Sequence, residues 1–218
     1  MPRLALFDLD DTLIASYDAF TAWTEELAEE RGLGAGAAEW FRTDHFWRHT
    51  PEESFRYIGE HFGLPDDPIE LMGAYRMRLL ELLRPYDGML DGLEALRDAG
   101  WRIGIVTNGF PDFQLPKVQA VGLGAYVDVV CVSDAEASWK PDPGIFKVAA
   151  ERAGAPLEGA WMVGDSLSSD IAGGNALGLH TAWVRHSRTL ADSDPQPEHV
   201  LEHPSDVFSL ILGGARRN

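Results

Sequence analysis

The sequence has one cysteine and no long apolar run. Of its 218 residues only Cys131 carries a thiol, so an internal disulfide is excluded and a reducing compartment is favoured. No stretch approaches the roughly 18–20 consecutive apolar residues that a membrane helix needs. Acidic residues beginning at Asp8 interrupt the N-terminal apolar run too early for a signal peptide. These features predict a cytoplasmic protein with no membrane partner.

Basic residues are also scarce. The chain has 18 Lys+Arg against 35 Asp+Glu, which gives a formal net charge of −17. Such a field repels polyanions, and no basic cluster offers the face that nucleic acid binding requires, so we expect no nucleic acid partner. A small anionic substrate would need a local cation. The positions of the three lysines, Lys117, Lys140 and Lys147, are therefore of interest.

What the chain does contain is an alternation of short apolar runs and amphipathic segments, with 45% hydrophobic residues in all. Runs at residues 4–7, 102–107, 127–132, 160–163 and 181–184 are typical of buried parallel strands, and a last strand and helix are expected at 199–201 and 205–212. The pattern predicts an α/β fold, a Rossmann-like parallel sheet core with helices on both faces. Pro116 predicts that the helix after the second strand starts late.

About 70 residues after the first strand show helical spacing and no convincing strand. Helices are expected around residues 20–27, 41–47, 55–62 and 72–82, separated by glycine- and proline-rich breakers. We therefore predict a helical module at 16–85 that is inserted into a core formed by residues 1–15 and 86–218.

Polar residues follow the first two predicted strands. Strand one runs into Asp8-Leu9-Asp10-Asp11-Thr12, and alternation along an extended backbone puts Asp8 and Asp10 on one side and Asp11 on the other. Strand two ends in Thr107-Asn108-Gly109, whose hydroxyl and backbone N–H groups suit a phosphate oxygen. Taken singly, an acidic turn and an ordinary Asn-Gly turn explain these two motifs as well.

Two further motifs complete the set. Lys140 lies in a loop before a predicted helix, and Asp165 and Asp170 follow the fourth strand, where an N-cap would also explain them. If these aspartates converge with Asp8 and Asp10, each like-charge pair about 4 Å apart costs on the order of 4 kcal/mol at an effective dielectric near 20. Either a cation or protonation of the carboxyls would relieve that repulsion, and an all-oxygen set suits Mg²⁺. We therefore predict a magnesium site at these four aspartates.

The four motifs, in this order and spacing, resemble the signature motifs of the haloacid dehalogenase-like superfamily, whose members mostly hydrolyse phosphoesters. The resemblance covers essentially the whole chain, and the inserted helices resemble the α-helical cap of the first subfamily. Response-regulator receivers also use Asp, Thr and Lys, but there the acidic pair comes first and the other three follow on later strands. Here Thr107 precedes Lys140 and a second acidic pair comes last.

The resemblance implies roles for the motif residues. Asp8 is the nucleophile that forms an aspartyl-phosphate, and Asp10 is the general acid and base. The catalytic set also includes Thr107 and Lys140, and the substrate's phosphoryl group is bound by Thr107, Asn108, Gly109 and Lys140. Mg²⁺ is held by Asp8, the backbone carbonyl of Asp10, Asp165 and Asp170, the last directly or through water.

Several alternatives remain open. A 2-haloacid dehalogenase has a non-acidic residue where this chain has Asp10, because a halide leaves without a proton, so a phosphatase is favoured. A phosphomutase would share Asp8 and Asp10, and a non-catalytic binding protein is disfavoured because every motif residue is intact.

The motifs look most similar to those of pyrimidine 5′-nucleotidases and N-acylneuraminate-9-phosphatases. That likeness implies a small phosphorylated metabolite, such as a nucleoside monophosphate or a sugar phosphate. We expect a monomer or homodimer. Specificity is expected in the cap, where most aromatics should form the cap's own core; the candidates are Phe20, Trp23, Arg42, His45, Trp47, Arg48 and His49.

Overall fold

The computed structural model describes residues 2–34, 36–41 and 50–214, and six of its strands form one parallel sheet. The strand order is β3-β2-β1-β4-β5-β6. The strands are β1 (Arg3–Phe7), β2 (Trp101–Thr107), β3 (Val129–Val132), β4 (Trp161–Gly164), β5 (His180–Val184) and β6 (His199–Leu201). The predicted α/β fold is confirmed, and the five apolar runs and the run at 199–201 all form strands.

The central strand β1 is buried on both faces. Leu4 and Leu6 lie in one hydrophobic cluster with Phe146, whereas the Phe7 ring lies 6.0 Å from the ring of Phe208. Because side chains alternate along a strand, these contacts lie on opposite faces of the sheet. Helices therefore cover both faces, which explains why the strand is a continuous apolar run rather than an alternating one.

The strand order reverses at β1. Strands β2 and β3 lie on one side of β1 and strands β4, β5 and β6 lie on the other. In open parallel sheets such a reversal leaves a crevice at the carboxyl ends of the two flanking strands, where ligands bind. Phe7, the last residue of β1, is in register with Ile105 of β2 and Val163 of β4. The residues after these three strands are thus brought to one edge.

Helices connect the strands of the sheet. They are α5 (Met89–Asp98), α6 (Pro111–Ala120), α7 (Ser133–Glu136), α8 (Pro143–Ala153), α9 (Ala172–Ala176) and α10 (Asp206–Gly214), with a 3₁₀ turn at Leu123–Ala125 and a π-helical turn at Leu167–Ile171.

Helix α6 starts at Pro111 and continues through Pro116, so the predicted late start is wrong. Three of its side chains, Gln114, Lys117 and Val118, are buried. This tertiary packing outweighs the one backbone hydrogen bond that Pro116 removes.

The described residues fall into two compact units, one formed by the chain up to Ala15 together with the chain from Pro85 onward, the other by Ser16–Arg84. The second unit is helical, with α1 (Ser16–Arg31), α2 (Ala37–Phe41), α3 (Pro51–Phe62) and α4 (Pro68–Leu82). Three of the four predicted helices match α1, α3 and α4. The helix predicted over 41–47 meets α2 only at Phe41, and its remainder lies outside the described residues.

Aromatic rings form the core of the helical unit. The Trp23 ring has its centroid 4.7 Å from that of Tyr75, 5.9 Å from Phe55 and 6.1 Å from Phe20. Phe20 and Trp23 are 1% and 5% exposed, so these two specificity candidates pack inside the unit. The other five candidates, Arg42, His45, Trp47, Arg48 and His49, lie outside the described residues.

Side-chain caps fix the helix ends within this unit. Thr50 and Glu53 form a reciprocal capping box at the start of α3, and Gly63 ends that helix in the left-handed region at φ 64°. The Asp67 side chain caps α4 by accepting from two backbone N–H groups. In the described part of the chain, no helix is both long and apolar enough to cross a bilayer.

The contact between α5 and α10 depends on the absence of a side chain at Gly92. A Cβ added there would collide with the ring of Phe208, which packs on Phe7. We expect Gly92→Ala to lower the free energy of unfolding by about 1–3 kcal/mol through overpacking. Gly213→Ala in α10, where a Cβ meets open space, is the matched control and should be neutral or stabilising. Urea unfolding measures both, and equal effects would contradict the expectation.

Candidate active site

Asp8 lies immediately after β1 at the carboxyl edge of the sheet. Its backbone N–H donates to the carbonyl of Val163 at 2.8 Å, which extends the pairing with β4 by one residue. Its side chain is almost entirely buried, and its Oδ1 accepts from the N–H of Leu9 at 2.7 Å. The carboxylate is therefore held by the sheet on one side and by its own turn on the other.

Lys140 contacts two of the predicted aspartates. Its Nζ lies 2.8 Å from Asp8 Oδ1 and 2.7 Å from Asp170 Oδ1, and the lysine is 4% exposed. The loop that carries it is fastened to the end of β2. The N–H of Lys140 donates to Asn108 Oδ1 at 2.8 Å, and Asn108 Nδ2 donates back to the carbonyl of Lys140 at 3.0 Å. Asn108 thus orients the loop that brings the ammonium group to the site.

Three of the four predicted aspartates form one acidic cluster. Carboxylate oxygens of Asp8, Asp165 and Asp170 lie within 4.8 Å of one another. Asp170 returns to the sheet edge through the π-helical turn after β4, and its Oδ2 accepts from the N–H of Ser166 at 3.0 Å. A Cβ at Gly164 would collide with the Asp170 carboxylate, which explains the glycine that precedes Asp165.

Burial and mutual repulsion make this cluster electrostatically costly. Burial, followed by the charge of Asp170, raises the pKa of Asp8 to about 7, although Lys140 opposes the rise. Burial and then the charge of Asp8 raise the pKa of Asp165 to about 7, against the opposing charge of Arg188. Burial also raises the pKa of Asp170.

Burial and the neighbouring charges have opposing effects on the pKa of Lys140. Burial acts to lower the pKa of Lys140, but the carboxylates of Asp170 and Asp8 outweigh it and raise that pKa. Lys140 therefore faces two of the three acidic groups, and the third, Asp165, pairs with the more exposed Arg188. This surplus of buried negative charge, presented entirely by oxygen atoms, fits a hard divalent cation such as Mg²⁺.

The fourth predicted aspartate has different partners. The Asp10 carboxylate does not join the cluster of the described residues; it pairs with Lys117, whose Nζ lies 2.8 and 3.0 Å from its two oxygens. Of the predicted metal-binding groups of Asp10, only the backbone carbonyl remains for a cation. Its side chain is drawn toward α6 by the charge of Lys117.

The end of β2 supplies the remaining predicted residues. Thr107 is buried, and its hydroxyl accepts from Gln114 Nε2 at 2.5 Å. Gly109, at φ 146°, donates its N–H to the hydroxyl of Ser133 at 2.9 Å. In this conformation the N–H of Gly109 is engaged within the turn, and the binding role of Gly109 stays a prediction.

Four residues that contact the predicted site residues were not predicted from the sequence motifs: Gln114, Lys117, Ser133 and Arg188. Arg188 Nη2 lies 3.1 Å from Asp165 Oδ2 and also donates to the Asp165 carbonyl at 2.6 Å. The scarcity of lysine singles out Lys117, but no spacing in the sequence links it to Asp10. The remaining three have no sequence signal that we can identify, because only the packing of α6, α7 and the loop after β5 brings them to the site.

Comparisons with known proteins agree with this geometry. A family model described as haloacid dehalogenase-like hydrolase matches residues 2–178, and the chain belongs to that family. The ribulose-1,5-bisphosphate 5-phosphatase of Halopiger xanaduensis is 38% identical, covering 97% of this chain and 100% of the relative. The glyceraldehyde 3-phosphate phosphatase of Pyrococcus abyssi is 31% identical, covering 86% and 83%. The predicted family is therefore confirmed.

Solved structures support the same placement. The HAD-hydrolase YfnB of Bacillus subtilis, crystallised with magnesium, has a TM-score of 0.79 at 25% identity and covers 96% of this chain and 98% of its own. Pyrimidine 5′-nucleotidases of Escherichia coli and Streptococcus pneumoniae are also among the sequence relatives. L-2-haloacid dehalogenases share the fold at about 20% identity, which reports on architecture alone.

The raised pKa values give a test of the acidic cluster. An unfolded aspartate ionises near pH 4, whereas the pKa of Asp165 in the folded protein is about 7. The free energy of unfolding of the metal-free protein should therefore fall as the pH rises from about 4 to about 7. We expect Asp165→Asn to stabilise the metal-free protein at pH 8 by about 1–2 kcal/mol, or roughly 2–8 °C in Tm. At pH 5 the gain should be much smaller.

Stabilisation of the protein by Mg²⁺ should depend on the carboxylate of Asp165. Mg²⁺ should raise the Tm of the wild-type protein, more at pH 8 than at pH 5, and most of that gain should disappear in Asp165→Asn. Asp192→Asn, at an exposed loop position, is the matched control. A Tm gap between wild type and Asp165→Asn that is the same at both pH values would contradict the assignment.

Proposed function

We propose that this chain is a cytoplasmic, Mg²⁺-dependent phosphatase that hydrolyses a small organic phosphomonoester through an aspartyl-phosphate on Asp8. The observation that carries this proposal is the buried carboxylate of Asp8, held 2.8 Å from the ammonium group of Lys140, with a second aspartate two positions along the chain. The phosphatases among its relatives support the reaction class.

In the first half-reaction a carboxylate oxygen of Asp8 attacks phosphorus. The bond between phosphorus and the substrate's alcohol oxygen breaks, and the Asp10 carboxyl gives its proton to that oxygen. An alkoxide is a poor leaving group, so this proton transfer is what an acidic residue at position 10 supplies and what a dehalogenase would not need. One difficult displacement is thereby divided into two easier ones.

In the second half-reaction water hydrolyses the aspartyl-phosphate. The water oxygen attacks phosphorus while Asp10, now a carboxylate, takes a proton from that water. The bond between phosphorus and Asp8 breaks, which releases the Asp8 carboxylate and inorganic phosphate. Asp10 thus returns to its protonated state and Asp8 to its ionised state. The cycle needs no oxidant, reductant or second substrate.

Three residues would support the transferring group. The ammonium group of Lys140 and the hydroxyl of Thr107 are assigned to its equatorial oxygens, and Asn108 keeps the Lys140 loop in place. Asp8, Asp165, Asp170 and the carbonyl of Asp10 would hold Mg²⁺. When bound, the ion would supply positive charge that favours the ionised nucleophile and offsets the charge of the phosphoryl oxygens.

The substrate class follows from charge and from the relatives. A small phosphorylated metabolite, such as a sugar phosphate or nucleoside monophosphate, carries the dianion that such a site would hold, and relatives named for such compounds support it. We assign the helical unit Ser16–Arg84 the role of a cap that excludes water during transfer. We also assign a monomer or homodimer with no nucleic acid or membrane partner.

The phosphatase assignment is tested by Asp8→Asn. The purified protein should release phosphate from members of a panel of phosphorylated metabolites with Mg²⁺ present and not with EDTA. Asp8→Asn should reduce that release by about 10³-fold or more, because an amide is not a nucleophile of comparable strength. Isomer formation without phosphate release would indicate a phosphomutase instead. Chloride release from 2-chloropropionate without phosphatase activity would indicate a dehalogenase.

Asp10→Asn provides a separate test of the intermediate. 4-Nitrophenolate departs without a proton, so 4-nitrophenyl phosphate should still phosphorylate Asp8 in this variant. Hydrolysis of the intermediate should be slowed by about 10²-fold or more because the general base is missing. Intact-mass spectrometry after rapid acid quench should then detect a phosphorylated protein that Asp8→Asn,Asp10→Asn lacks. Equal labelling of the single and double variants would contradict Asp8 as the nucleophile.

A further inference from the structure

We propose that Lys117 and Gln114 of α6 are positioning residues that hold the Asp10 carboxylate in the orientation from which it exchanges protons with the substrate. This inference rests on the proposed function, because it assigns Asp10 the role of general acid and base. It adds two residues to that function, and both are supplied by a helix outside the four motifs.

Lys117 makes the stronger of the two contacts. Its Nζ lies 2.8 Å from one oxygen of Asp10 and 3.0 Å from the other, so a single ammonium group spans the carboxylate. The Lys117 side chain is 5% exposed, and its Nζ lies 4.2 Å above the centroid of the Phe113 ring. A lysine so deeply buried is almost always paired, and Asp10 is its partner.

Gln114 makes the second contact and extends it to the phosphoryl side of the site. Its Nε2 lies 2.8 Å from Asp10 Oδ2 and 2.5 Å from the hydroxyl of Thr107. One buried amide group therefore connects the residue assigned to proton transfer with a residue assigned to the phosphoryl oxygens. Any shift of α6 would move both.

The two donors are three residues apart on α6 and face the same side of the helix. Their spacing is thus fixed by backbone hydrogen bonds rather than by flexible side chains. Asp10, in contrast, lies in the turn after β1, and its side chain is 30% exposed. The nearby charge of Asp8 repels it.

The position of the Asp10 carboxyl matters because a general acid must lie within hydrogen-bond reach of the oxygen that it protonates. A misplaced Asp10 would slow the departure of a poor leaving group but would matter little for a leaving group that needs no proton. A purely structural role of Lys117 would affect both kinds of substrate equally. The dependence on leaving group therefore separates positioning from general stability.

The experiment compares phenyl phosphate with 4-nitrophenyl phosphate, which share a ring but differ in the stability of the departing phenolate. In Lys117→Met, kcat/KM for phenyl phosphate should fall about tenfold or more beyond any fall for 4-nitrophenyl phosphate. Lys117→Arg should restore part of the loss because it keeps the charge. Lys147→Met, which changes the exposed lysine of α8, should leave both values unchanged.

Gln114→Leu keeps the approximate volume and removes both amide contacts, so it should show the same selective loss and serves if Lys117→Met does not fold. Equal falls for the two substrates in either folded variant, or no fall, would overturn the positioning role while leaving the phosphatase assignment intact. A wild-type protein without activity on either substrate and on the metabolite panel would instead overturn the proposed function, and this inference with it.

Discussion

The edge of the sheet is organised by an unbalanced set of charges. Carboxylate oxygens of Asp8, Asp165 and Asp170 lie within 4.8 Å of one another. The ammonium group of Lys140 contacts Asp8 and Asp170, and Arg188 contacts Asp165. Carboxylates at this separation repel strongly when solvent is excluded, so the arrangement persists only because the surrounding fold leaves the side chains no other place. The parallel sheet and the loops at its edge supply that constraint, and the surplus of negative charge on oxygen atoms fits a divalent cation.

Several small devices maintain the arrangement, and each has a local cause. Gly164 leaves room for the Asp170 carboxylate, a π-helical turn returns Asp170 to the sheet, and Asn108 clasps the loop that carries Lys140. Gly164 and Asn108 fix the positions of the groups to which we assign the chemistry, and such preorganised charge is usually the largest source of rate acceleration. The cost appears in the pKa values of Asp8 and Asp165, which burial and mutual repulsion raise.

Much of the fold could be predicted because its signals are local. Apolar runs such as residues 4–7 can only be buried strands when helices alternate with them, and amphipathic spacing locates α1, α3 and α4. Prediction failed where tertiary packing outweighs a local rule. Helix α6 continues through Pro116 because its buried side chains compensate for one missing hydrogen bond, and no window of sequence around Pro116 contains that information.

The sequence by itself predicted the residues to which we assign the chemistry. Asp8, Asp165 and Asp170 come shortly after β1 and β4, Lys140 lies between α7 and α8, and the carboxyl ends of parallel strands meet at one edge whatever the details of packing. Only the tertiary structure decided what surrounds them. Lys117 is 107 residues from Asp10 along the chain, and Gly109 donates to Ser133 rather than to the open site. Such contacts depend on how helices pack on the sheet and on which rotamers fit the space that remains. The positions of the strands along the chain are specified by local patterns, whereas side-chain partners across the fold are specified only by the completed packing.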